Sequence, residues 1–160
     1  MSAATAKPLN READDFYATP RSAISQLLEV ERFDGPIWEP ACGDGAISRV
    51  LQENGHNVIS TDLVDRGFGK GGVDFLMETK PLAPNIVTNP PFKLGTEFAR
   101  HALALGADKV AMLLKIGFLE GPTREAIHAS LEKVWVIRRR VPFLKGGKES
   151  GACALECAGL

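Results

Sequence analysis

Residues 85–118, NIVTNPPFKLGTEFARHALALGADKVAMLLKIGF, switch periodicity twice, and those switches decide the fold. NIVTNP is a short apolar run of β type, and Pro90-Pro91 end it, because proline forbids continuation and removes backbone donors. GTEFARHALALG places Phe98, Ala102 and Leu105 on one side of a helix. KVAMLLKIGF is apolar without alternation, as a strand covered on both faces must be. Strand, helix and doubly buried strand in succession form a parallel crossover unit, which is right-handed.

Working outward, the same alternation repeats. TPRSAISQLLEVERF predicts a helix with Thr19 as N-cap, Pro20 as its first residue, and Ile24, Leu27 and Leu28 inward. GPIWEP reads as the first strand, and AISRVLQENG as a helix with Ile47, Val50 and Leu51 inward and Gly55 as its stop. NVISTDL reads as the second strand, GVDFL as a short third and NIVTNP as the fourth. The glycine-rich VDRGFGKGG is a loop between them. Downstream of the fifth strand, KVAMLLKIGF, a helix over GPTREAIHASLEK leads to a sixth strand, VWVIR. The fold class is therefore α/β, a doubly wound, mostly parallel Rossmann-like sheet flanked by helices.

A length of 160 residues with 44% apolar content suits one domain with its own core. Residues 1–14 read as a flexible tail and 15–160 as the domain. MSAATAKPLNREADDF has no apolar core, so it is not a secretory signal. No run reaches the roughly 18–20 apolar residues of a membrane span. Cys42, Cys153 and Cys157 lack CxxC spacing and suit a reduced, cytoplasmic protein, and His56, His101 and His128 are scattered, so no metal site is expected. A net charge of −1 does not by itself point to nucleic acid.

In such sheets ligands bind beyond the carboxyl ends of the strands. At the first end stands EPACGDGAIS, where Gly43 and Gly45 allow a sharp turn and a close ligand approach. It is not GxGxxG, and Glu39 would repel a pyrophosphate while suiting a cationic group. Asp62 falls about 20 residues past the glycine turn, where a carboxylate reaches ribose hydroxyls. Asp74 and Phe75 could bind an exocyclic amine and pack on a base. Asn89 and Pro90 place a side-chain and a backbone carbonyl side by side, two acceptors for one NH2 group, and Phe92 offers a face to a planar ring.

These motifs, in this order, resemble those of S-adenosylmethionine-dependent amino-methyltransferases, most closely the bacterial and phage DNA adenine-N6 type. NPPF (Asn89, Pro90, Pro91, Phe92) is similar to the family's catalytic motif, and EPACGDG (Glu39, Ala41, Gly43, Gly45) to its methionine-binding motif. DFYATP, with Tyr17 and Thr19, is similar to the segment that helps hold the cofactor carboxylate. The resemblance covers residues 15–150, in the gamma order. It implies S-adenosylmethionine as cofactor, with Asp62 at the ribose, Asp74 and Phe75 at the adenine, and Asn89 beside the methyl group. It also implies a DNA adenine flipped out of the duplex, stacked near Phe92 and methylated at N6, in a restriction-modification or related setting.

Little chain remains for a target-recognition region. Arg138, Arg139, Arg140, Lys145 and Lys148, or the loop DRGFGKGG, are the candidates for DNA contact, and a separate recognition subunit is the alternative. ACALECAGL has poor strand propensity, so an incomplete last strand is expected. RNA, a protein glutamine, or a non-catalytic role in a complex stay open as other readings.

Overall fold

The computed structural model describes residues 18–137 and 152–158. Its strands are β1 (Ile37–Glu39), β2 (Val58–Ser60), β3 (Asn85–Thr88), β4 (Lys109–Lys115), β5 (Leu131–Val136) and β6 (Ala152–Ala158). The helices are α1 (Arg21–Val30), α2 (Ala46–Glu53), α3 (Gly95–Ala104) and α4 (Glu125–Ser130). One sheet runs in the order β2-β1-β3-β4-β6-β5. The first four are parallel neighbours, with Ile37 opposite both Val58 and Asn85, and Asn85 opposite Lys109. β6 is antiparallel to both β4 and β5. Among the described residues no helix is long and apolar enough to cross a membrane.

The uninterrupted apolar strands split their side chains between two cores, as a period of two requires. On one face Ile37, Val87 and Ala111 pack with Ile24 and Leu27 of α1 and Ile47, Val50 and Leu51 of α2. On the other, Trp38, Ile86, Val110, Met112 and Leu114 pack with Phe98, Ala99 and Ala102 of α3, Ile127 of α4, and Phe75. Trp38 is fully buried, and its indole N–H finds the Thr61 hydroxyl at 2.9 Å, which spares it an unpaired donor.

Four expectations are corrected. GVDFL is not a strand: the Val73 N–H bonds the Asp62 carbonyl, and the Asp74 carboxylate accepts from the Leu76 N–H at 3.0 Å, capping a 3-10 turn over Phe75–Met77. A short carboxylate that bonds its own backbone competes with ladder formation. Thr19 does not cap α1: Pro20 occupies the N-cap position, and the Thr19 hydroxyl is used elsewhere. The helix expected to run through Lys133 stops at Ser130. There the chain turns into β5, whose Lys133 ammonium and Trp135 N–H both bond buried Glu31, at 3.1 and 2.7 Å. ACALECA does complete the sheet, pairing along all of β4 from Ala158 opposite Lys109 to Ala152 opposite Lys115. A position between two strands satisfies its backbone on both sides, and that outweighs weak intrinsic propensity.

Candidate active site

The chain leaves β1 for β2 on one side and returns to β3 on the other, so the strand order reverses between β1 and β3. At such a switch point the loops part and leave a crevice at the carboxyl ends. A cavity of about 760 Å3 opens there. Thr19, Glu39, Ala41, Gly43, Asp62, Asp74, Phe75, Asn89, Pro90, Pro91 and Phe92 all line it, so the structure brings these eleven anticipated residues together. Gly45 does not line it but shapes its wall. Tyr17, and the basic residues Arg138, Arg139, Arg140, Lys145 and Lys148, lie outside the described residues.

Glu39 ends β1 with only 1% of its surface exposed. Its carboxyl accepts from the Ser48 hydroxyl, which lies 2.7 Å from the Ser60 hydroxyl. Burial pushes the carboxyl up to about 8, and the Ser48 hydrogen bond only partly offsets this. A cation delivered to this carboxyl would draw it back toward the ionised form.

Both glycines of the following turn have positive φ, 54° at Gly43 and 88° at Gly45, a region hostile to residues with a Cβ. The Gly43 N–H donates to one Asp62 carboxylate oxygen at 2.7 Å, and the Val64 N–H donates to the other at 2.9 Å. Asp62 thus clamps the two loops together while its carboxylate keeps acceptor capacity toward the cavity. A Cβ on Gly45 would lie 2.6 Å from the Phe68 ring, and Arg49 stacks on that ring at 4.6 Å. The loop DRGFGKGG therefore folds back against the glycine turn, with Lys70 bridged to Thr61.

Phe75 lines the cavity while its ring packs against Trp38 at 5.2 Å, Phe98 at 4.8 Å and His101 at 5.1 Å, leaving it 2% exposed. Val64 and Leu76 supply apolar wall beside it. Cys42, also in the wall, is pushed up to about 12 by burial and by Glu39 and Asp62, which keeps it an unreactive thiol.

Asn89 follows β3 directly. Its Nδ2 donates to the Thr19 hydroxyl at 3.0 Å, while its Oδ1 is buried with no hydrogen-bond partner among the described residues. The Pro91 carbonyl is used by the Leu94 N–H at 2.8 Å, closing the turn that carries Phe92. No described residue donates to the Pro90 carbonyl. Two acceptors with spare capacity therefore sit side by side at the cavity wall. Arg66, which lies in the candidate loop DRGFGKGG without having been singled out, also lines the cavity. Sequence reasoning missed Lys93, another lining residue, and Lys115, whose ammonium lies 4.6 Å from the centre of the Phe92 ring. Lys115 stood inside the expected strand KVAMLLKIGF, which in fact ends there because Ile116–Leu119 form a 3-10 turn.

No family model and no curated protein matches the chain. Solved structures do. A Pyrococcus horikoshii protein provisionally described as an RNA methyltransferase aligns over 90% of this chain and 86% of its own, at 17% identity and a TM-score of 0.69. The methyltransferase fold is present. Magnesium protoporphyrin IX methyltransferase from Synechocystis, solved with bound S-adenosylmethionine, aligns over 87% and 77% at 12% identity and a TM-score of 0.57. A modification subunit from Vibrio vulnificus, provisionally assigned to a type I restriction enzyme, aligns over 92% and 45% at 16% identity and a TM-score of 0.61. The residues present fit S-adenosylmethionine. A buried carboxyl suits its ammonium, Asp62 its ribose hydroxyls and the apolar wall its adenine. The space beside Asn89 suits its methyl group.

Proposed function

We propose that the protein is an S-adenosylmethionine-dependent methyltransferase that methylates the N6 amino group of adenine in DNA, flipping the base out of the stack to reach it. The observation that carries this reading is the buried, unpartnered Oδ1 of Asn89 next to the Pro90 carbonyl. An orphaned buried acceptor costs about 1–3 kcal/mol. It is kept where a ligand supplies the missing donor. An exocyclic NH2 supplies two, one for each carbonyl. The Thr19 hydroxyl, by accepting from Nδ2, fixes which end of the amide faces the cavity.

The amine of adenine is a poor nucleophile because its lone pair is delocalised into the ring. Asn89 and Pro90, accepting both N–H groups, draw the nitrogen out of conjugation and stabilise the positive charge that develops on it. S-adenosylmethionine, when bound, supplies a methyl group on a sulfonium. Transfer of that methyl group to N6 would leave the electron pair of the broken C–S bond on sulfur, and N6 would then lose one proton to solvent, so Asn89 and Pro90 need only stabilise the charge and no strong base is required. Phe92 would support the base by stacking, and Glu39 and Asp62, which line the same cavity, would hold the methyl donor.

The solved structures of this fold include proteins described for RNA, porphyrin and restriction-enzyme modification, so the fold leaves the acceptor open, and the NPPF geometry supports an aromatic amine. The likeness to the Pyrococcus horikoshii protein supports methylation of an amino group in RNA as the second reading. Arg138, Arg139, Arg140, Lys145 and Lys148 are proposed to contact phosphates, with base specificity from a separate subunit, in the cytoplasm of a bacterial or phage-infected cell. The test is methyl transfer from labelled S-adenosylmethionine to unmethylated duplex DNA, single-stranded DNA and RNA, read as modified nucleosides by mass spectrometry. N6-methyladenine in DNA supports the reading, and label confined to RNA replaces it with the second.

A further inference from the structure

Lys115 ends a strand that overruns its neighbour. The β3–β4 ladder stops at Thr88 opposite Met112; beyond it the chain of β3 turns into Asn89-Pro90-Pro91-Phe92. Leu113, Leu114 and Lys115 continue, held by β6 on the other side with Lys115 opposite Ala152. The overrun carries the Lys115 ammonium onto the face of Phe92, with Nζ 4.6 Å from the ring centre, in the wall of the cavity. Lys109, at the other end of the same strand, is tied to buried Glu31 at 3.2 Å. Lys115 is exposed and has no ion pair among the described residues.

We propose that Lys115 is a substrate-binding residue. Its ammonium holds the Phe92 ring while the target base is absent, and it moves onto the backbone phosphate of the flipped nucleotide once the base stacks. This rests on the adenine reading above and narrows it to a nucleotide within a phosphodiester chain, as opposed to an amide side chain. A cation over a partly exposed ring is weakly held, so a base stacking on that face displaces it. The flexible four-carbon stem lets the charge swing aside without moving β4. A base drawn into the cavity brings its sugar and phosphate to the mouth, where exposed Lys93 supplies a second ammonium.

The test compares wild type, Lys115→Met and Lys115→Arg in binding a short labelled oligodeoxyadenylate over a salt series. Free deoxyadenosine is measured in parallel by equilibrium dialysis. Lys115→Met should bind the oligonucleotide about three- to tenfold more weakly at low salt, and its plot of log affinity against log salt should be shallower by about 0.7. Its affinity for deoxyadenosine, which carries no phosphate, should be unchanged. Lys115→Arg should keep the wild-type slope, which a merely structural role would not require. Identical slopes and affinities for wild type and Lys115→Met overturn the assignment, while methylation of the same oligonucleotide by wild type keeps the adenine reading intact. A wild type that methylates adenine in neither this oligonucleotide nor duplex DNA nor RNA defeats both.

Discussion

In the proposed reaction Asn89 carries the chemistry in one amide, one end hydrogen-bonded to Thr19 and the other, in the cavity wall, without a hydrogen-bond partner among the described residues. Asn89→Ala removes an acceptor needed only when the amine is present, so it should lower turnover by about 10²–10³-fold. Affinity for the methyl donor should stay within a few-fold, and thermal stability should hold or rise slightly because an orphaned acceptor is gone. Calorimetric titration alongside the kinetics checks this, and loss of donor binding in step with turnover would contradict it. Glu39 makes a prediction about pH. Its carboxyl rises from its usual 4.5 to about 8 on folding. Between those values the folded chain holds a proton that the unfolded chain has released, so stability falls as pH rises through the window. Glu39→Gln should flatten that decline, measured by chemical denaturation from pH 4.5 to 8. Parallel curves for the two proteins would show that Glu39 is ionised in the fold.

At the scale of elements, the glycine turn and the loop after β2 act as one unit. Gly45→Ala forces a left-handed alanine, which costs about 1–2 kcal/mol, and drives its Cβ into the Phe68 ring. Phe68→Ala relieves the second effect alone. The double variant should therefore be more stable than the sum of the single losses implies, and strict additivity in denaturant melts would contradict the packing described. The four parallel strands were legible because apolar runs such as VAMLL fit no helical stripe, and α1 to α3 because their apolar faces recur at helical spacing. The rest was decided by tertiary packing, which no local pattern carries. Asp74 caps a turn where propensity suggested a strand, and Phe75 spends its ring on the core. The strand expected at VWVIR is present but starts earlier, at Leu131, where Glu31 bonds Lys133 and Trp135, and β6 is a strand because it lies between two others.

At the scale of the whole molecule, the reversal between β1 and β3 gathers residues distant in sequence, Thr19, Glu39, Asp62 and Asn89, around one cavity. Their convergence was legible because strand ends are marked by acids, glycines and prolines. The approach of Lys115 to Phe92 was not, since it depends on how far β4 outruns β3. With a net charge of −1, the proposed nucleic-acid binding would have to come from local clusters and not from the overall field. Replacing Arg138, Arg139 and Arg140 with Gln should weaken duplex binding and reduce the salt slope by about 0.9 for each phosphate no longer neutralised, leaving methyl-donor affinity unchanged. An unaltered slope would remove that segment from the interface. The most direct test of the central claim is mass spectrometry of nucleosides from unmethylated duplex DNA incubated with the protein and labelled S-adenosylmethionine. N6-methyladenine made by wild type and absent with Asn89→Ala is the predicted result. Donor binding without label in any nucleic acid would contradict the account.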